Sequence, residues 1–363
     1  MTIQPNYNSP FIAGSMITDT SLFIGRTKEL DKVTQLMKRQ KPMSVNIFGS
    51  EKIGKSSLLY HFSQTRNDQE YIIVYINLQQ AGCNSESGLY QELVREWQDS
   101  PDIQNRTAVQ HLLQNISPLP NIALDRSKFS ELIRQSKRQG VKFVICLDEF
   151  EALFNYPDEF NQGFYGNLYS LILKDDLMLL VASKKPLSLY KTYLKDQFYK
   201  MFETVKLSNL TNREVDELLQ LPARVGKNSP PPVLKDNEQS EAKKWGGKHP
   251  YLLQLAAIYI YEARYQGQYA FTIARAEFNR KAIQVFWSKI VNSQGFSIIW
   301  LVLRGLFWDL PIKIGNIGAL IGLTLDEFKS WIMGMMVLMV LFSGLFRIIT
   351  LPVVLDWLQK IVK

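Results

Sequence analysis

An α/β architecture, with a parallel sheet interleaved with crossover helices, is the fold class that the sequence predicts, followed by a helical segment and a C-terminal module. Three observations predict it. Short apolar runs alternate with amphipathic stretches through residues 23–208, the pattern of strands joined by helices. The apolar run at 44–48 ends in a turn bounded by Gly49 and Gly54, which opens directly into a helix-like stretch. A second apolar run, 142–147, ends in the carboxylate pair Asp148-Glu149.

The strands expected are 44–48, 71–78, 142–147, 177–183 and 204–207, and the helices between them 28–39, 56–64, 89–97, 127–138 and 167–173. Residues 1–22 form an extended arm, rich in Pro, Asn and Ser from Pro5 to Pro10, without the basic start and apolar stretch of a secretory leader. The α/β domain then covers 23–208. Thr211-Asn212-Arg213-Glu214 has the spacing of a capping box, in which hydroxyl and carboxylate satisfy free amides at a helix start. A loop is expected over 228–241 around Pro230-Pro231-Pro232, followed by helical periodicity at 250–264 and 273–291. Together 209–292 make a helical lid.

Residues 293–363 are strongly apolar and admit two arrangements. In one, 331–355 is a membrane-associated segment with Arg347 its only charge, about the 20 residues that a bilayer requires. In the other, helices at 296–308, 314–320 and 325–336, a hairpin around Phe342-Ser343-Gly344 and a last helix at 352–362 make a winged-helix-like domain. Arg347 and Pro352 fit a lipid-facing span poorly, so the second arrangement is preferred. Its recognition helix would offer Lys329 as its only basic group, whereas phosphate and base readers need several. The Met-rich run there suits a core or an adaptable protein surface.

Composition narrows the function classes. A 46% hydrophobic and 21% charged chain of 363 residues is neither disordered nor fibrous. The formal charge of +8 is compatible with an acidic partner without requiring one. Cys83 and Cys146 are far apart, which excludes a disulfide framework and a zinc-ligand spacing and fits the cytoplasm.

The chemistry-bearing segment is Gly49-Ser50-Glu51-Lys52-Ile53-Gly54-Lys55-Ser56, which satisfies GxxxxGK[ST] between a strand and a helix. Such a loop curls its N–H groups around a β-phosphate, and the helix start, with Ser57, adds partial positive charge. Lys55, expected to be exposed in the empty loop, would reach the β- and γ-phosphates, and the Ser56 hydroxyl would hold Mg2+. Asp148 would share that metal through its water shell. Glu149 would orient or deprotonate the attacking water. Ser183, with Lys184 and Lys185 beyond it, is either a γ-phosphate sensor or part of a solvated basic turn.

Phe23-Ile24-Gly25-Arg26-Thr27-Lys28-Glu29-Leu30 resembles the segment that opens the nucleotide domain of STAND and related AAA-like P-loop ATPases. Pro10 to Gly14 and Ile17 are similar to the lead-in of a bacterial, cyanobacterial-like group of them. The resemblance implies an ASCE strand order of 5-1-4-3-2 and places Phe23, Ile24, Gly25 and Arg26 on the adenine and ribose side. Gly246 to Ala256 resembles the lid motif of the same ATPases, which brings His249 and Pro250 toward the nucleotide. The implied activity is Mg2+-dependent ATP hydrolysis that drives a conformational or assembly switch in signalling or defence. ATP and ADP would be the ligands, and self-association or a separate sensor or effector protein the partner. A DNA-directed ATPase of origin-recognition or transposition type is the alternative; DNA is not favoured and a membrane is not expected.

Overall fold

The computed structural model describes residues 9–66, 70–100, 111, 124–194, 196–221, 231–264 and 268–291. The winged-helix-like domain and the apolar stretch 331–355 expected in 293–363 lie outside them. The chain divides into two compact units, 1–285 and 286–363. The sheet and the candidate site belong to the first.

Five strands, β1 Ser44–Phe48, β2 Tyr71–Asn77, β3 Lys142–Asp148, β4 Leu177–Ser183 and β5 Phe202–Lys206, form one sheet in the order β2-β3-β4-β1-β5. This is the order that the resemblance implies. Every pairing is parallel, so the ends of all strands meet at one edge, where ligands of open α/β sheets sit. Around the sheet run α1 Thr27–Met37, α2 Lys55–Thr65, α3 Glu86–Asp99, α4 Arg126–Arg138, α5 Gln162–Leu173 and the short α6 Asp196–Tyr199.

Both faces of the sheet are covered, and the alternation of side chains along each strand sorts them. On β3, Phe143, Ile145 and Leu147 enter a core with Trp97 of α3, Phe129 of α4 and Phe164 of α5. Val144 and Cys146 enter the opposite core, with Leu36 of α1 and Leu58 and Phe62 of α2. A strand buried on both faces reads as a continuous apolar run, which is why β3 and β4 stand out in the sequence.

Beyond β5 come α7 Asn212–Leu219, α8 Asp236–Gly246, α9 Pro250–Ala263 and α10 Gln268–Val291. They have their own core, in which Leu218, Trp245 and Tyr251 pack with Phe11 of the arm. The Thr211–Glu214 capping box is present at the start of α7. The expected loop over 228–241 is corrected at its C-terminal end, because α8 begins at Asp236. Its first turn is held by the Glu238 carboxylate, which accepts the Lys235 N–H at 2.8 Å and the Arg264 guanidinium. α5 also begins earlier than expected, with Asn161 capping the N–H groups of Gly163 and Phe164. The glycines of its first turns hide that start. Among the described residues no helix is long and apolar enough to cross a membrane.

Candidate functional site

At the carboxyl edge of the sheet lies a cavity of about 400 Å3, walled by the loop after β1, the end of β3, the arm and two helices of the following segment. The loop is shaped by its glycines. Gly54 caps α2 with φ 97, a left-handed conformation that costs glycine little. A Cβ on Gly49 would approach the Leu207 carbonyl to 2.8 Å. The N-terminus of α2 therefore faces the cavity, with Lys55, Ser56 and Ser57 on its wall.

Lys55 corrects the expectation of an exposed cation. It is 7% exposed, and its ammonium donates to the carbonyls of Gly49 at 3.1 Å and Ser50 at 3.2 Å. These carbonyls satisfy the charge. Burial lowers its pKa, against the pull of Glu149, Glu151 and Asp148. A phosphate offers a stronger, fully charged acceptor.

Asp148 and Glu149 enter from the end of β3. Asp148 is buried, and Glu149 stands at φ 51 as it caps the following turn. The Glu149 N–H donates to Asp148 Oδ1 at 3.0 Å, so the backbone of that turn is tied to the carboxylate before it. Burial, then the Asp148 charge, push the Glu149 carboxyl above its ordinary range. A carboxylate so placed is a better proton acceptor than an exposed one.

The site also draws on residues that sequence reasoning missed. Tyr75 and Asn77 of β2 line the cavity, and Asn77 pairs directly with Asp148 in the sheet. Two polar residues two apart at the end of an apolar strand were the available signal. The arm supplies Ile12, Ser15, Met16 and Ile17, and the helices supply Leu218, Tyr251 and Gln254. The arm is pinned at two points: Ile12 N–H donates to Gln254 Oε1 at 2.7 Å, and Ile17 N–H to the Ser57 hydroxyl at 3.1 Å. The Lys52 ammonium sits 4.4 Å from the ring centre of Tyr251.

Of the other expected contacts, Phe23, Ile24, Arg26, Glu51, Lys52, Ile53 and Pro250 share the cavity wall. Phe23 stacks on His61 with ring centres 4.2 Å apart. Arg26 is 4% exposed and has a structural duty besides: its guanidinium donates to the Ile53 carbonyl at 3.0 Å, and its N–H to Glu214 Oε1 at 2.6 Å. It ties the phosphate-type loop to the start of α7. Gly25, Gly49, Ser50, Ser183 and His249 are not brought to the wall. Gly25 packs against the Glu214 carboxylate. The Ser183 hydroxyl donates to the Lys185 carbonyl at 2.7 Å and accepts from Asn46 at 2.7 Å, so it is occupied beneath the sheet edge. His249 is buried at the N-cap of α9, ahead of Pro250.

With the geometry in place, residues 23–183 match a family described as an ATPase domain predominantly from Archaea. The sheet order and the loop after β1 give this segment a P-loop NTPase fold. The Walker-type ATPase of Pyrococcus abyssi superposes with a TM-score of 0.55 at 17% identity, over 88% of this chain and 90% of that one. At that identity the likeness shows a shared fold. Cdc6p from Pyrobaculum aerophilum matches at 15% identity over 70% of this chain and 68% of its own, with a TM-score of 0.47. AMPPCP-bound DnaA from Aquifex aeolicus matches at 14% identity over 93% and 94%, with a TM-score of 0.37. Both superpose too loosely to bear on function. No curated protein gives a significant match to the sequence.

The cavity has donors suited to a magnesium nucleotide. Among the described residues no cluster of three His, Cys, Asp or Glu could hold a metal by itself. Mg2+ commonly relies on one or two protein ligands plus phosphates and water. The Ser56 hydroxyl and the Asp148 carboxylate, which line the same cavity as Lys55, fit that requirement.

Proposed function

We propose that this protein is a STAND-type regulatory ATPase, in which Mg2+ and ATP occupy the cavity and hydrolysis to ADP resets a lid formed by 209–292. One observation carries the reading: the phosphate-type loop, the β3 carboxylates, the arm and the helices α7 and α9 wall the same cavity. An occupant of that cavity touches both the reacting end and the segment that could move. A ligand shifts an equilibrium only by its differential contact with the two states.

Each residue has a definite task. Lys55 exchanges the Gly49 and Ser50 carbonyls for phosphate oxygens, Ser56 and Asp148 hold the cation, and Glu149 takes the proton of the attacking water. Bound Mg2+ supplies charge neutralisation on the phosphates. Arg26 passes a change at Ile53 to α7 through Glu214. The readout would be self-association or recruitment of a sensor or effector, in the signalling or defence setting that the family resemblance suggests. The buried free thiols of Cys83 and Cys146 accord with a cytoplasmic setting.

The test is the solution mass of the full chain by light scattering, with Mg2+ and ATP and then with ADP, alongside limited proteolysis. The reading expects a nucleotide-dependent mass or a nucleotide-dependent cleavage pattern within 209–292. Identical mass and identical cleavage in both states would refute the switch.

A further inference from the structure

Tyr75 sits where packing alone has no need of a hydroxyl. Its ring belongs to the core that β2 shares with α1 and α2 and stands edge-on to Tyr60, with centres 5.6 Å apart. A phenylalanine would fill that space. Yet the hydroxyl points to the cavity and donates to Asp148 Oδ2 at 2.9 Å. The other oxygen, Oδ1, already accepts the Glu149 N–H at 3.0 Å.

We infer that Tyr75 is a positioning residue for the divalent cation, fixing the Asp148 carboxylate in its metal-facing orientation before Mg2+ arrives. The inference rests on the magnesium nucleotide reading above. With one donor on each oxygen, the carboxylate cannot rotate without breaking a hydrogen bond, and Asp148 is only 1% exposed, so water offers little replacement. Each oxygen keeps a lone pair for the cation or its water shell. The neighbouring strand thus orients the ligand, as partners behind metal ligands commonly do. Tyr75 need not touch the cation or the nucleotide to act.

The experiment uses the full chain as wild type, Tyr75→Phe, Asp148→Asn and the double variant. Binding of a fluorescent ATP analogue is followed during an Mg2+ titration and again in chelator. Tyr75→Phe should keep the metal-free affinity and need about tenfold more Mg2+ for half-maximal effect, the low end of the range for such partners. In the Asp148→Asn background the same change should add nothing further. An unmoved Mg2+ midpoint in Tyr75→Phe overturns the inference, as does a matching loss of metal-free affinity, which would mean a packing defect. An equal further loss on top of Asp148→Asn also overturns it, because Tyr75 would then act elsewhere. A wild type whose affinity ignores Mg2+ removes the metal reading and this inference together, whereas a normal wild-type titration with an unmoved variant removes Tyr75 alone.

Discussion

Replacing Gly25 by alanine tests the link between the nucleotide loop and α7. Gly25 has φ +77, and a Cβ there would lie 2.5 Å from Glu214 Oε1 and 2.7 Å from its Cγ. Two costs arise. The left-handed backbone costs an L-residue about 1–2 kcal/mol. The methyl group also expels a carboxylate that accepts the N–H groups of Arg26 at 2.6 Å and Thr211 at 2.7 Å. Displacing a helix cap costs about 1 kcal/mol, and Glu214 is partly exposed, so water recovers some of the remainder. The total expected is about 2–4 kcal/mol.

Gly140→Ala is the internal control. That glycine has φ +80, and a methyl group added there would meet nothing within 4 Å, so only the backbone cost of about 1–2 kcal/mol applies. Urea denaturation of both variants, followed by circular dichroism, gives the two losses. Gly25→Ala should lose about 1–2 kcal/mol more than Gly140→Ala, the share assigned to the carboxylate. Equal losses would show that the Glu214 contact contributes nothing, and the proposed route from Arg26 to α7 would fail.

Three other outcomes are expected. Lys55→Ala should weaken ATP binding about 30-fold or more, as expected for removing one partner of a buried charge pair; calorimetry showing wild-type affinity would refute its role. Glu149→Gln should bind ATP but hydrolyse it at least about tenfold more slowly in a single-turnover assay, and unchanged turnover would remove Glu149 from the chemistry. The third concerns Glu214, where burial alone would raise the carboxyl, but the Thr211 and Arg26 N–H donors outweigh it and hold the pKa below its ordinary value of 4.5. The resulting stability is present above that value and is lost as pH falls through the lower folded value. The stability gap between wild type and Glu214→Gln should therefore close on acidification, and a gap independent of pH would contradict the assignment.

Much of the fold was legible because it rests on local pattern. β1 and β4 match the expected 44–48 and 177–183, since apolar runs bounded by polar turns leave little ambiguity. The Thr211–Glu214 cap was legible for the same reason. α8 was less so: besides the local Lys235 N–H, its first turn is held by Arg264, 26 residues away from Glu238, a contact that no local window contains. The same applies within the site. GxxxxGK[ST] announces itself, because one continuous turn performs the task. Tyr75, Gln254 and the arm residues Ile12, Ser15, Met16 and Ile17 reach the cavity through tertiary packing; the partial alternation of Tyr75 and Asn77 and the motif segments around Ile12, Ile17 and Gln254 hinted at it without fixing the contacts. Arg26 was visible as a motif residue, but its bond to the Ile53 carbonyl was not.

The most direct test of the central claim is calorimetric titration of the full chain with ATP in the presence of Mg2+. The account predicts saturable binding of one nucleotide per chain, strengthened by Mg2+. Absence of saturable ATP binding to folded wild-type protein would contradict it.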